Sequence, residues 1–128
     1  MKLLIDTHIL VWWLDDDPRL RPPTRGLIAD KANDVFVSVA SFWEISIKFR
    51  KGGIADNGSA SWRDAEAEGF EVLTLKRDHI GAYDELSPIP GHNDPFDHLI
   101  LAQAIAEGAV LITNDGKMCS YGIRCIPA

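Results

Sequence analysis

The chain has 128 residues, 46% of them hydrophobic and 25% charged, with 13 basic against 19 acidic side chains and a formal net charge of −6 at pH 7. That length supports one hydrophobic core and is too short for two, so residues 1–128 are expected to form a single domain. The acidic balance argues against nucleic-acid binding by broad phosphate neutralisation, but not against carboxylates that hold divalent cations, because bound metal reverses the local sign. No apolar run reaches membrane-spanning length, and Met1 leads straight into a strand-like Leu3-Leu4-Ile5, so a cytoplasmic protein with no membrane partner is expected. Cys119 and Cys125 lack zinc-ligand spacing and are expected to be reduced structural thiols.

The apolar run at Leu3–Ile5 ends at Asp6-Thr7, and Ile9, Leu10, Trp13 and Leu14 then recur at helix spacing, the opening of an α/β unit. Asp15-Asp16-Asp17-Pro18 breaks the pattern as a solvated turn. A second helix is expected over about 22–32, a strand over 35–39, and a helix from Ser41 to about Lys51 that Gly52-Gly53 stops. Ile54 to Ala60 is polar and contains glycine, a candidate loop or lid. A short helix at 62–68, a strand at 70–75 and a helix over about 76–86 follow, then the rigid connection Ser87-Pro88-Ile89-Pro90-Gly91.

The next stretch, Asp94-Pro95-Phe96-Asp97-His98-Leu99-Ile100-Leu101-Ala102-Gln103-Ala104, is a helix with a start signal. Asp94 suits the cap, and Pro95 suits the first helical position. Beyond Asp97 it is apolar on almost every side, so it should be buried. Gly108 stops it, Val110-Leu111-Ile112 forms a fourth strand, 116–121 a helical turn, and Arg124-Cys125-Ile126 a short edge strand. Strands without alternating polarity, separated by helices, predict a parallel sheet covered on both faces.

On that frame Asp6 lies just past the first strand, Glu44 in the first turn of the helix after the second, Asp97 in the first turn of the helix before the fourth, and Asp115 just past the fourth. All four fall at one edge of a parallel sheet, the edge where such sheets bind ligands. Each has an ordinary explanation: Glu44 can close a capping box from Ser41 or pair with Lys48, Asp97 can close a capping box from Asp94, and Asp6 and Asp115 can be turn residues. Four converging carboxylates would repel by several kcal/mol unless cations neutralise them, and hard oxygen ligands suit Mg²⁺ or Mn²⁺. The chemistry this implies is metal-assisted attack of water on a phosphodiester.

The sequence resembles the PIN-domain ribonucleases, and most closely the VapC-type toxins of bacterial toxin–antitoxin pairs. Leu4-Ile5-Asp6-Thr7-His8 is similar to the family's first motif, Val37-Ser38 through Ser41-Phe42-Trp43-Glu44-Ile45-Ser46-Ile47-Lys48 to its second, His92 to His98 with Leu101-Ala102-Gln103-Ala104 to its third, and Thr113-Asn114-Asp115 with Tyr121-Gly122 to its end. The resemblance implies a PIN-like three-layer α/β sandwich with a central, mostly parallel sheet of about five strands. It implies an Mg²⁺- or Mn²⁺-dependent endoribonuclease, with Asp6, Glu44, Asp97 and Asp115 as the acidic, metal-holding quartet. It also implies inhibition by a cognate antitoxin protein, and a homodimer.

Asp94 belongs to the narrower Asp-Pro-Phe-Asp subgroup, as support or helix cap ahead of direct ligation. His98 stands where that subgroup usually carries arginine, which would put a titratable cation in place of a permanent one if the side chain meets RNA. Thr7, Ser41 and Thr113 offer hydroxyls to orient carboxylates or water. Trp12, Trp13, Trp43 and Trp62 are expected mostly in the core, with one or two lining an antitoxin groove or a dimer contact. Two other classes stay open: a receiver-type Mg²⁺-holding phosphoacceptor module, and a catalytically silent PIN domain that binds RNA or a partner. The receiver type usually needs adjacent acids after strand one and a late lysine, whereas Asp6 stands alone and Thr113-Asn114-Asp115 has none.

Overall fold

A computed structural model describes all of residues 1–128. Five strands, β1 (Lys2–Ile5), β2 (Asp34–Ser38), β3 (Glu71–Leu73), β4 (Val110–Thr113) and β5 (Cys125–Pro127), form one sheet in the order β3-β2-β1-β4-β5. Every neighbouring pair is parallel, with Leu4 opposite Phe36 on one side and Leu111 on the other. The helices are α1 (Thr7–Leu14), α2 (Pro22–Ala29), α3 (Val39–Arg50), α4 (Gly58–Ala67), α5 (Arg77–Glu85) and α6 (Pro95–Glu107), and a 3₁₀ turn spans Met118–Tyr121.

Strand side chains alternate between two apolar layers, as the pleat requires. Leu3, Ile5, Val35, Val37, Val110 and Ile112 face one core together with Ile9 and Leu10 of α1, Ile28 of α2 and Phe42 and Ile45 of α3. Leu4, Leu73 and Leu111 face the other with Ile100, Leu101 and Ala104 of α6 and with Met118, and α5 packs on α6. Both faces of the sheet are therefore covered, giving the three layers expected. The strand order reverses between β1 and β4, which opens a crevice at their carboxyl ends.

Local chemistry sets the element ends. Asp94 caps α6 by accepting from the Phe96 N–H at 2.9 Å, Pro95 takes the first helical position, and Gly108 ends the helix at φ 61°, a conformation that favours glycine. The acidic triplet is the turn expected: Asp15 ends α1, and Asp17 pairs with Arg19 at 2.7 Å. Three of the four tryptophans pack. Trp12 and Trp13 join the first core, and Trp62 stacks on Phe42 with ring centroids 5.1 Å apart. Trp43 does not.

Three local expectations are corrected. Residues 58–60 belong to α4 rather than to a loop, because Asn57 caps that helix by accepting from the Ala60 N–H at 2.8 Å. Helix α3 begins at Val39, because Ser38 takes the cap that had been assigned to Ser41 and accepts from the Ala40 N–H. Glu44 thus lies in the second turn, and Ser41 is a buried helical residue. Cys119 and Cys125 are joined in a disulfide rather than reduced: the turn after the 3₁₀ segment brings β5 back until the two Cα atoms are 5.4 Å apart.

Candidate active site

Because β1, β2 and β4 run parallel, the residues that follow them emerge at one edge of the sheet, and helix starts converge there. Asp6, Glu44, Asp94, Asp97 and Asp115 all line a single cleft of about 480 Å³, with Thr7, His8, Lys48, Asn114 and Met118. All four acids of the expected quartet are brought together.

Asp6 caps α1. One carboxylate oxygen accepts from the Ile9 N–H at 3.0 Å, and the other accepts from the Thr113 hydroxyl. The Thr113 oxygen accepts in turn from the Asp115 N–H at 3.0 Å, so one hydroxyl couples the ends of β1 and β4. Asp115 turns back to accept from the Lys117 N–H at 2.9 Å. Asp6 is only 4% exposed, and burial raises its pKa to about 6 despite these donors.

Glu44 reaches the cleft from the second turn of α3. It accepts from the Thr7 hydroxyl at 2.6 Å and pairs with Lys48 at 3.3 Å across one helical turn. The Ser41 hydroxyl lies 2.9 Å from that of Thr7. Thr7 has one proton and gives it to the carboxylate, which leaves Ser41 as the donor between the two hydroxyls. The three supporting hydroxyls expected from sequence, those of Thr7, Ser41 and Thr113, thus all bear on Glu44 or Asp6.

Asp97 does not close a capping box on Asp94. Its carboxylate lies 3.1 Å from His92 Nε2, and His92 Nδ1 lies 2.7 Å from the Tyr121 hydroxyl, which also accepts from the Ile89 N–H. An ionised Asp97 can only accept, so Nε2 carries the proton and Tyr121 donates to Nδ1. Burial pushes the Asp97 pKa up; the His92 hydrogen bond opposes this, and the charges of Asp94 and Glu44 add to it.

His92 is a site residue that the sequence reasoning missed. Its ring nitrogen and carboxylate oxygens of Asp97 and Asp115 all lie within 4.8 Å of one another. A signal was present: His92 and His98 bracket the Asp94/Asp97 pair. His98 does not replace a phosphate-binding arginine. It is buried, its Nε2–H donates to the His92 carbonyl at 2.8 Å, and its ring packs edge-on against the His92 ring at 4.9 Å.

The donor set fits a divalent cation. It is composed of hard carboxylate oxygens, with His92 holding Asp97 rather than offering a lone pair of its own, burial makes the charge of Asp6 and Asp97 costly, and Lys48 is the only lysine or arginine paired with any of the four acids.

The profile of the PIN domain matches residues 3–123, and the chain belongs to that family. No curated protein is significantly similar to it in sequence. Its fold is shared by solved toxin–antitoxin complexes at low identity. VapBC2 of Rickettsia felis, bound to a DNA fragment from its promoter, is 21% identical with a TM-score of 0.73, and the match covers 99% of this chain and 98% of that one. DNA-bound VapBC of Salmonella typhimurium is 18% identical with a TM-score of 0.70, again over 99% and 98%. VapBC-1 of nontypeable Haemophilus influenzae is 21% identical with a TM-score of 0.67, over 99% and 98%. Family membership sets the receiver-type reading aside.

Proposed function

We propose that the chain is a divalent-metal-dependent endoribonuclease and the toxin component of a toxin–antitoxin pair. One observation carries the reading: Asp6, Glu44, Asp97 and Asp115, from four separate segments, line one cleft at the carboxyl edge of the sheet. In this reading residues 1–128 form one PIN domain acting in the cytoplasm. Asp6 and Asp97 are the principal ligands of Mg²⁺ or Mn²⁺, and Glu44 and Asp115 complete the site or orient the attacking water. When bound, the ion supplies a more acidic water and withdraws charge from the scissile phosphate. Thr113 and Thr7 fix the carboxylates of Asp6 and Glu44, His92 fixes that of Asp97, and Asp94 supports the site as the cap of α6.

The antitoxin is a small cognate protein that blocks this cleft or a groove beside it, and the toxin is a homodimer. The likeness to VapBC complexes supports the antitoxin partner. No helix is long and apolar enough to cross a membrane.

The purified protein is expected to cleave single-stranded RNA with Mg²⁺ or Mn²⁺ and to stop on addition of EDTA. Asp6→Asn and Asp97→Asn are expected to lower the rate by at least about 100-fold while circular dichroism stays native, since each removes a charge that the cation needs. Full activity in either variant contradicts the assignment, and a wild-type protein that cleaves no RNA points to the silent PIN domain instead.

A further inference from the structure

Trp43 is 67% exposed, the most exposed of the large hydrophobic side chains, and it belongs to neither core. An indole gains a large apolar contact when it is covered, so one left in water is available to a binding partner. Its ring is not loose: it meets Phe96 edge-on, with centroids 5.4 Å apart. Both aromatics stand next in sequence to an acid of the cleft, Trp43 to Glu44 and Phe96 to Asp97.

Helix α3 continues from Trp43 with unusual charge. Spacings of four and seven residues put Ile47 and Arg50 on the Trp43 face, and Lys48 and Lys51 on the adjoining Glu44 face. Three of the chain's 13 lysines and arginines therefore fall within residues 48–51, in a protein of net charge −6. Lys48 lines the cleft beside Glu44, while Arg50 and Lys51 are exposed and make no ion pair. From Trp43 to Arg50 the helix rises about 10 Å.

An exposed aromatic face beside unpaired cations is what single-stranded nucleic acid requires: a base stacks while its phosphates are neutralised. We propose that Trp43, backed by Phe96, is a stacking platform for an unpaired RNA base next to the cleaved phosphodiester, and that Arg50 and Lys51 hold phosphates of the same strand. The inference rests on the endoribonuclease reading and names how that site grips its substrate. A protein partner would be favoured by an apolar face alone; the unpaired cations favour RNA.

The test is fluorescence anisotropy of a labelled single-stranded oligouridylate with Mg²⁺, in an Asp97→Asn background that binds without cleaving. Adding Trp43→Ala is expected to weaken binding about ten-fold or more, and Trp43→Phe to retain most of the affinity. Arg50→Gln with Lys51→Gln should reduce the slope of log affinity against log salt by about 1.4, two phosphate contacts' worth for a single strand. RNA carrying 5-iodouridine should photocross-link to Trp43. Unchanged affinity in Trp43→Ala overturns the proposal while wild-type cleavage leaves the nuclease reading standing; a wild type that neither binds nor cleaves RNA takes both down. If Trp43→Ala converts a dimer to a monomer in sedimentation, the residue serves a contact between copies and the proposal fails.

Discussion

Asp6 carries a cost to stability at a single position. Its carboxylate is buried at the end of a strand, and its pKa is raised to about 6 by that burial. A raised carboxylate costs stability wherever it is ionised in the fold, so the penalty is complete above about pH 6 and gone below the unfolded value near 3.8. Two units correspond to about 3 kcal/mol. Asparagine keeps the cap acceptor for the Ile9 N–H and removes the charge. Metal-free Asp6→Asn is therefore expected to be more stable than wild type at pH 7 by about 1–3 kcal/mol in urea melts, with the gap closing as pH falls toward 4. A variant less stable than wild type at pH 7 would mean that the hydrogen bonds the charged carboxylate accepts from Ile9 and Thr113 outweigh the cost of burying it. Asp6, Asp97 and Asp115 were legible from the chain because each follows a strand or opens a helix, and Glu44 because its helix follows β2 directly. His92 left only a local signal, its place beside the Asp94/Asp97 pair, since a histidine in an irregular turn has no periodic pattern. Its role depends on Tyr121, 29 residues away in sequence, reaching its ring.

At the scale of elements, the alternation of apolar strands and helices was readable because a parallel sheet buried on both faces leaves that pattern. The ends were less so. Two serines competed to cap α3, and the one adjoining β2 won, which moved Glu44 by a full turn without taking it out of the cleft. Gly58 suggests a loop by composition, yet it opens α4 and serves close packing. A Cβ there would lie 2.0 Å from the Phe42 carbonyl oxygen and 2.5 Å from Ser46 Oγ, while the Gly58 N–H already donates to Ser46 at 2.8 Å. A carbonyl oxygen inside α3 cannot move aside without breaking that helix. Gly58→Ala is expected to destabilise by about 1–3 kcal/mol in chemical denaturation despite alanine's better helix propensity. A stabilised variant would show that α4 can slide over α3. The Cys119–Cys125 bridge is not legible in the chain because spacing alone does not reveal that β5 folds back beside the 3₁₀ turn.

Across the whole molecule, one charged knot ties elements far from the cleft. Glu107, in the last turn of α6, accepts from Lys2 of β1 at 2.7 Å and lies 2.8 Å from Nε2 of the fully buried His79 of α5. Hydrogen bonds from Lys2 and His79 hold its pKa down to about 2. A depressed carboxylate stabilises above its unfolded value of 4.5, and that contribution is lost as pH falls toward 2. Partial solvation reduces it to about 1 kcal/mol. Glu107→Gln should lower stability by that amount at pH 7 and flatten the acid limb of the pH–stability curve, whereas an unchanged acid limb would place the control elsewhere.

The cleft at the opposite pole holds the reverse arrangement: acids collected with one lysine among them, tolerable as neighbours when a cation joins them. Thermal unfolding with and without Mn²⁺ tests that claim most directly. Wild type is expected to melt at a higher temperature as Mn²⁺ is added at pH 7, and Asp6→Asn to begin higher in its absence and gain little from it. A wild-type melting temperature indifferent to Mn²⁺ and Mg²⁺ would contradict the account.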